Sequence, residues 1–496
     1  MKQLMLSASG FALAAAASLL TTSAMSADLG GNCCADLEER VAELEATTVR
    51  KGNRKVSLQI YGQVSEAIIW WNDGAESNVY VQEMMGAQNR LGFTGTAKIN
   101  SDWSAGFRLE LQIRAYRSNF ANQLSLGASN NTQIAVYNTQ SVAIRHAHWF
   151  LRSERYGTVS VGRDLQAVTG TQSISLVNPD GFSGPILGPG MANAGYFLRR
   201  SGTTGNAGLS GLTWQNFAYI RNGDGPTPMD YFFTSSGVKY SSPWFLGQTK
   251  TSGFNFQADW GMDDVWSVAL RYAEDFGAFR VAGGVGYSNW SGPDRGMCST
   301  GASGNTPGAP PPGTTPGTDL GSSIRCDALQ ASGSLLHVPT GLYVSGGWGQ
   351  MSDKNANAAL LARTASFQSG AKGENSFWWL QGGWQAKLNT LSNTIFWGQY
   401  MEFSTGLGVV NNLVQTVAAN DVVNSLGTAA VIRNTDTQVW GGGISQNIDA
   451  AAMTLYAGFH NYTTSGTIGA IASSARARTN PIDDMQLFYT GATIRF

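Results

Sequence analysis

Charge is what this chain has least of. Asp, Glu, Lys and Arg make up 13% of its residues, against roughly 25% in soluble domains. A chain of this length would ordinarily divide into two to four soluble domains, and so little charge argues against that. The charge present nearly cancels, to a formal −1, so no nucleic-acid or polyanion partner is implied. Long apolar runs are missing too. Past the N-terminal segment there is no stretch of about 18 apolar residues, which excludes helical membrane spans. Catalytic signatures are equally scarce: no HExxH, no GxSxG, no phosphate-cradling loop before Lys and Ser or Thr, and no CxxC. Only four His occur. His146 and His148 sit two apart on one face of a strand, a spacing able to ligate a metal, but no third ligand is apparent in the sequence and they read as structural. No enzyme activity, metal or cofactor is expected.

What is present begins with a targeting segment. MKQLMLSASGFALAAAASLLTTSAMSA carries a Lys near its start, an apolar stretch from Phe11 to Leu20, then small residues. That is the layout of a secretory signal, with cleavage expected after Ser26 or one residue later, giving a signal peptide over 1–26. An exported chain without helical spans is either soluble or a β-barrel. The cysteines agree with an oxidising compartment. Cys298 and Cys326 flank a segment rich in Pro, Gly, Ser and Thr, and a disulfide closing that loop would limit a segment unable to pack by itself. Cys33 and Cys34 are adjacent and bridge each other only with strain, leaving links between subunits or free thiols.

Residues 27–55 have a different texture. In ADLEERVAELEATTVRKGNRK, Leu37, Val41, Leu44 and Thr48 alternate spacings of four and three, a coiled-coil seam about two heptads long. Self-association is the preferred reading; a lone amphipathic helix packed on its own barrel is the alternative.

From Val56 the period becomes two. In WSAGFRLELQIR, Trp103, Phe107, Leu109, Leu111 and Ile113 point one way, and Arg108, Glu110, Gln112 and Arg114 the other. KVSLQIYGQV and NRLGFTGTAKI behave alike. Further strands are predicted near 142–153, 157–163, 230–241, 252–260, 265–276, 278–290, 326–338, 342–351, 376–388, 393–404, 436–448, 453–463 and 484–496, making sixteen in all. An even count suits a bacterial barrel. Short and long connections alternate along the chain, as in barrels with tight turns on one rim and loops on the other. The aromatic doublets Trp70–Trp71, Trp244–Phe245, Trp378–Trp379 and Phe396–Trp397 suggest interfacial girdles. Glu66 fits poorly, because it shares the phase of Leu58 and Val64; a bulge or burial between subunits would accommodate it. The chain ends DDMQLFYTGATIRF, with Phe488, Thr490, Ala492, Ile494 and Phe496 in one row. In a closed barrel such a strand pairs with the first. The expectation is an all-β, transmembrane antiparallel β-barrel of 16 strands over 56–496, after a short periplasmic helical segment.

Three stretches resemble trimeric general porins. NRLGFTGTAKINSDWSAGFRLELQIR (89–114) looks like their second and third strands. RHAHWFLRSERYGTVSVGRD (145–164) looks like the strand pair leading into the constriction loop, and GVKYSSP (237–243) like the strand after it. CCADLEERVAELEATTVRKGNRKVSL is similar to porins of the alphaproteobacterial, rhizobial type. The resemblance implies a homotrimer in the outer membrane, in contact with its lipid and lipopolysaccharide. It implies a water-filled channel for passive diffusion, and assembly machinery that reads the terminal Phe496. The third loop, about 163–229, would fold inward. Arg90 and Arg145 match positions of the Arg row facing that loop; Arg108, Arg114 and Lys98 are lumen-facing by phase and extend it. Asp164 lies at the loop's start, and Asp180 within VNPDGFSGP is its carboxylate, although the usual acidic sequence is lacking there. Related porins begin their mature chain with Ala-Asp, a point of peptidoglycan attachment in that group, which Ala27 and Asp28 would match if cleavage follows Ser26. A barrel serving chiefly as a tether to the cell wall, and a substrate-specific porin, are the alternatives to general diffusion.

Overall fold

The computed structural model describes residues 56–84, 87–113, 121–123, 142–177, 195–205, 209–214, 234–261, 265–292, 324–353, 374–411, 429–470 and 482–496. The strands are β1 (Ser57–Asn72), β2 (Ser77–Glu83), β3 (Arg90–Lys98), β4 (Trp103–Ile113), β5 (Val142–Ser153), β6 (Gly157–Leu165), β7 (Phe197–Arg199), β8 (Leu209–Thr213), β9 (Thr234–Ser241), β10 (Phe245–Leu246) and β11 (Gly253–Gly261). They continue as β12 (Trp266–Asp275), β13 (Phe279–Gly292), β14 (Ile324–His337), β15 (Leu342–Asp353), β16 (Glu374–Ala386), β17 (Thr394–Asn411), β18 (Ala429–Ile448), β19 (Met453–Ala470) and β20 (Met485–Arg495). All but β7 and β8, which form their own ribbon, belong to one antiparallel sheet.

That sheet is a closed barrel of sixteen staves, two of them broken. β1 pairs with β2 from Asn72↔Ser77 to Glu66↔Glu83, then with β3 from Gln63↔Arg90 to Ser57↔Thr96. β2 and β3 are thus one stave interrupted between Glu83 and Arg90. β9 and β10 both pair along β11, Ser241 opposite Gln257 and Phe245 opposite Phe254, and form the second broken stave. The first strand therefore runs well past Val64, where its clear alternation ends. It reaches Asn72 and returns through a tight turn. Asp73 Oδ1 accepts from the Glu76 amide at 2.8 Å, and Gly74 adopts φ +93°, a left-handed conformation that favours glycine.

The seam explains the C-terminal Phe. β20 pairs with β1 from Gln486↔Asn72 to Arg495↔Gln63. Phe496 then exchanges backbone hydrogen bonds with Gly62, at 2.9 and 3.1 Å. A Cβ on residue 62 would sit 2.4 Å from Cζ of the Phe496 ring, so glycine there admits the ring on the outer face.

Outward rows are apolar and exposed: Ile60, Val64 and Ile68 on β1, Leu109 on β4, Trp149 on β5, Trp440 on β18 and Phe488 on β20. Closure satisfies the backbone while these side chains face the bilayer. The doublets need correction. Consecutive residues of a strand face opposite sides, so each doublet there supplies one ring to the outer face. Trp378 and Phe396 are exposed, whereas their neighbours Trp379 and Trp397 are buried inside, as is Trp71. Glu66 stays in the outward row and is exposed, and the break in the neighbouring stave brings Asn89 Nδ2 to its Oε1 at 3.0 Å.

Candidate functional site

The inner wall of β1, β3, β4 and β5 gathers charge around one carboxylate. Inward phase on β4 places Arg108 and Glu110 two apart on the same face, opposite His148 and His146 of β5. A register shift on β5 between Ile144 and His146 adds Arg145 to the same neighbourhood. Glu110 is fully buried. Arg145 Nη1 lies 2.5 Å and Arg90 Nη1 3.9 Å from its Oε1, and Arg108 Nη2 lies 2.6 Å from its Oε2. Tyr61 donates to Oε2 at 2.8 Å, accepts from Arg108 Nε at 2.8 Å, and has that guanidinium 5.6 Å from its ring centroid. Three cations against one anion leave a net charge of about +2 on this wall. A buried carboxylate needs such partners, because removing an ion from water costs several kcal/mol.

Beside it lies a second group. Asp164, the penultimate residue of β6, contacts Lys239 Nζ at 2.5 Å through Oδ2, and its Oδ1 faces Nδ1 of His146 at 3.3 Å and of His148 at 3.8 Å.

Across the bore the wall is mostly uncharged, with Asp259 and Arg271 as exceptions, and a loop segment lies along it. After β6 the chain turns inward, and residues 166–177 follow the wall from β9 to β16. Lys239 Nζ donates to Leu165 O at 3.0 Å. Asp259 Oδ1 accepts from the Ala167 amide at 2.6 Å, and Arg271 Nη2 donates to Ala167 O and Thr169 O. Ser332 and Ser334 accept from the amides of Ile174 and Leu176, and Trp379 Nε1 donates to Gln172 O at 2.9 Å. Glycines leave room: a Cβ on Gly286 would lie 2.4 Å from Cγ2 of Val168. In a ring of sixteen staves β4 is third, and the staves that hold the segment run from the seventh, β11, to the twelfth, β16, four to nine staves further round.

A second tie holds a later part of the same loop. Arg199 donates to Asp73 Oδ2 from Nε at 2.9 Å and from Nη2 at 2.8 Å, both side chains being buried. Its Nη1 reaches Gly205 O at 2.6 Å. Tyr196 packs on Trp71 with ring centroids 5.4 Å apart.

A family model described as Gram-negative porin matches residues 12–496. The chain belongs to the Gram-negative porin family. It is an outer-membrane channel protein, and the inner walls just described line its bore. Among solved structures this porin is similar to an anion-selective porin from Comamonas acidovorans, at 14% identity over 89% of this chain and 100% of that one, TM-score 0.49. It is also similar to the Salmonella typhi OmpF complex with daunomycin, at 14% identity over 89% and 98%, TM-score 0.47. A third is in-vitro folded OmpT of Vibrio cholerae, at 12% identity over 91% and 100%, TM-score 0.46. The search of curated proteins found no match.

The porin's structure distributes the sequence-derived residues unevenly. Arg90, Arg108 and Arg145 converge. Lys98 does not join them: it is exposed at the other end of β3, eight residues from Arg90, roughly 27 Å at the rise of an extended strand. Asp164 pairs with Lys239 and faces the two histidines. Arg114, Asp180, Cys298, Cys33, Cys34, Ala27, Asp28, Leu37, Val41 and Leu44 lie outside the described residues, as does the side chain of Cys326. Sequence reasoning missed Glu110 as the centre of the Arg group, along with Tyr61, Lys239, and the Arg199–Asp73 tie. The signal for Glu110 was present: a carboxylate in phase with Arg108 on a lumen face needs cations around it.

Proposed function

We propose that this porin is a general diffusion channel for small hydrophilic solutes and ions. Its waist lies between the Arg90, Arg108 and Arg145 wall and the loop segment 166–177. The observation that carries the reading is the grouping of three guanidiniums about buried Glu110, on staves apart from those, β11 to β16, that hold that segment. Opposed faces of unlike polarity set a transverse field that orders water and orients dipolar solutes, while bulky apolar solutes are disfavoured. The net positive wall favours anions. Asp180, beyond the described part of the loop, is the carboxylate proposed to moderate that preference, and Arg114 continues the row beyond β4.

The working unit in this reading is a homotrimer in the outer membrane, with residues 27–55 in the periplasm and Leu37, Val41 and Leu44 as a helical seam. Phe496 at the seam of the barrel is the feature offered to the assembly machinery. Cys298 and Cys326 close their loop by a disulfide. Ala27 and Asp28 are the proposed point of attachment to peptidoglycan, an accessory role.

The deciding experiment is single-channel current of the refolded protein in a planar bilayer, with reversal potential in a salt gradient. Triplet steps with a weak anion preference are expected, and Arg90→Ala combined with Arg145→Ala should abolish that preference. Silence from a correctly folded trimer overturns the diffusion reading in favour of the tether. Blocking of the current by one class of solute alone points to a substrate-specific porin.

A further inference from the structure

The structure supplies the third ligand that the sequence did not show. We propose that His146, His148 and Asp164 form a binding site for a divalent transition-metal ion of the zinc class on the lumen wall. One ligand atom from each of the three lies within 4.8 Å of the other two. Two atoms bound to one tetrahedral zinc at about 2.0–2.1 Å stand roughly 3.3 Å apart. The Nδ1 atoms of His146 and His148 stand 3.3 and 3.8 Å from Asp164 Oδ1. The site therefore needs only small side-chain adjustments to close on an ion.

His146 is the second observation. It is 1% exposed, and the polar group facing its Nδ1 is the Asp164 carboxylate, 3.3 Å away but not aligned as a hydrogen bond. A buried imidazole so poorly satisfied is costly, and a metal ion shared between Nδ1 and that carboxylate lowers the cost. The surroundings resemble the outer support of a metal site. Ser160 Oγ donates to Asp164 Oδ2 at 3.3 Å and the Leu165 amide to Oδ1 at 2.8 Å, while Lys239 Nζ, 2.5 Å from Oδ2, competes with an ion for the carboxylate. The two donated bonds orient a ligating carboxylate. His148 Nδ1 also stands 3.3 Å from Arg163 O, a loose contact that metal binding would release.

Two imidazoles with one carboxylate select borderline ions such as Zn2+, Ni2+ and Cu2+ over Mg2+ or Ca2+. Three protein ligands leave a fourth position for water, and the Asp164 side chain, 15% exposed, gives the lumen access to it. The cations Lys239, Arg108 and Arg145 on adjacent strands weaken the affinity, so micromolar rather than nanomolar binding is expected. Provided the channel reading above holds, an ion seated beside the waist also lowers single-channel current.

Binding is measured apart from current, so the two readings fail separately. The full-length protein, folded in detergent, is titrated with Zn2+ by calorimetry. One Zn2+ per protomer at micromolar affinity is expected, weakened at least tenfold in His148→Gln and in Asp164→Asn. Lys239→Met, which removes the competing cation, should tighten it severalfold, an effect a purely structural cluster would not give. No uptake by the folded protein, or uptake indifferent to these changes, overturns the site. Should the variants fail to fold, Cu2+ bound to the unaltered protein carries the test by electron paramagnetic resonance. The chain has only four His; His337 bonds Thr340 at the turn after β14 and His460 bonds Gln399 on β17, each away from the pair. Hyperfine coupling to two imidazole nitrogens is expected, and a Cu2+ signal without it overturns the proposal.

Discussion

On the wall made by β1, β3, β4 and β5, three guanidiniums crowd one carboxylate. On the wall made by β11 to β16, the inward positions are largely Ser, Gln and Gly, gripping the backbone of residues 166–177. Both walls are polar, but they use polarity differently. The mostly uncharged wall spends its donors and acceptors on the loop; its work is to hold a segment in place with hydrogen bonds, each contributing about 0.5–1.5 kcal/mol, or about 1.5–3 for those of Asp259 and Arg271. The charged wall holds nothing but itself. Its order depends on mutual pairing, and its surplus positive charge remains available to whatever passes. Scaffold and field are thus assigned to opposite sides of one ring.

The largest expected effect comes from breaking the charged wall at its centre. Glu110→Gln leaves Arg90, Arg108 and Arg145 facing one another without their anion, a loss of about 3–5 kcal/mol for a buried pair deprived of one partner. The unfolding midpoint of the refolded protein in denaturant should fall, and the reversal potential should move further toward anions. A midpoint equal to that of the unaltered protein would mean that water already screens the three cations. Next is the tie between loop and turn. Arg199→Ala leaves the buried Asp73 carboxylate without its guanidinium and should cost about 3 kcal/mol locally. Amide exchange should quicken in 195–205 while the barrel strands keep their protection; equal loosening of β1 would show that the tie supports the barrel itself. The smallest effect sharpens the comparison from the neutral side. Gly286→Val pushes on Val168 and costs about 1–3 kcal/mol through overpacking. Conductance should rise as the segment lifts while the reversal potential stays constant, because residues 166–177 carry no charge. A changed reversal potential would mean that Asp180, farther along the loop, shifts with the segment.

Much of the barrel was legible as a pattern. Strict alternation in WSAGFRLELQIR requires one wet and one apolar face, and the terminal Phe row implies a seam. The interruption at 84–89 was not legible, because a broken stave looks like a loop between two strands until β1 is seen pairing with both halves. The aromatic doublets marked where rings gather, but clustering along the chain says nothing about which member of a pair faces in. At the site, phase marked Arg108 and the matching stretches marked Arg90 and Arg145. Lys98 has the same phase but the wrong height, and height along the barrel depends on strand tilt and stagger, which no single strand reveals.

By itself, the sequence determined that this chain is built from strands with one apolar face each, without helical spans, and that its last strand carries an apolar row suited to a seam. These are consequences of side-chain period and of scarce charge, both local properties. Only the tertiary structure decided that Glu110 is the hub of three arginines, that Arg199 ties a loop to the first turn, and that Asp164 meets His146 and His148. Apart from Arg108, two residues from Glu110 on the same strand, those partners are separated by 16 to 126 residues along the chain, and only the pairing and stagger of the strands bring them within bonding distance.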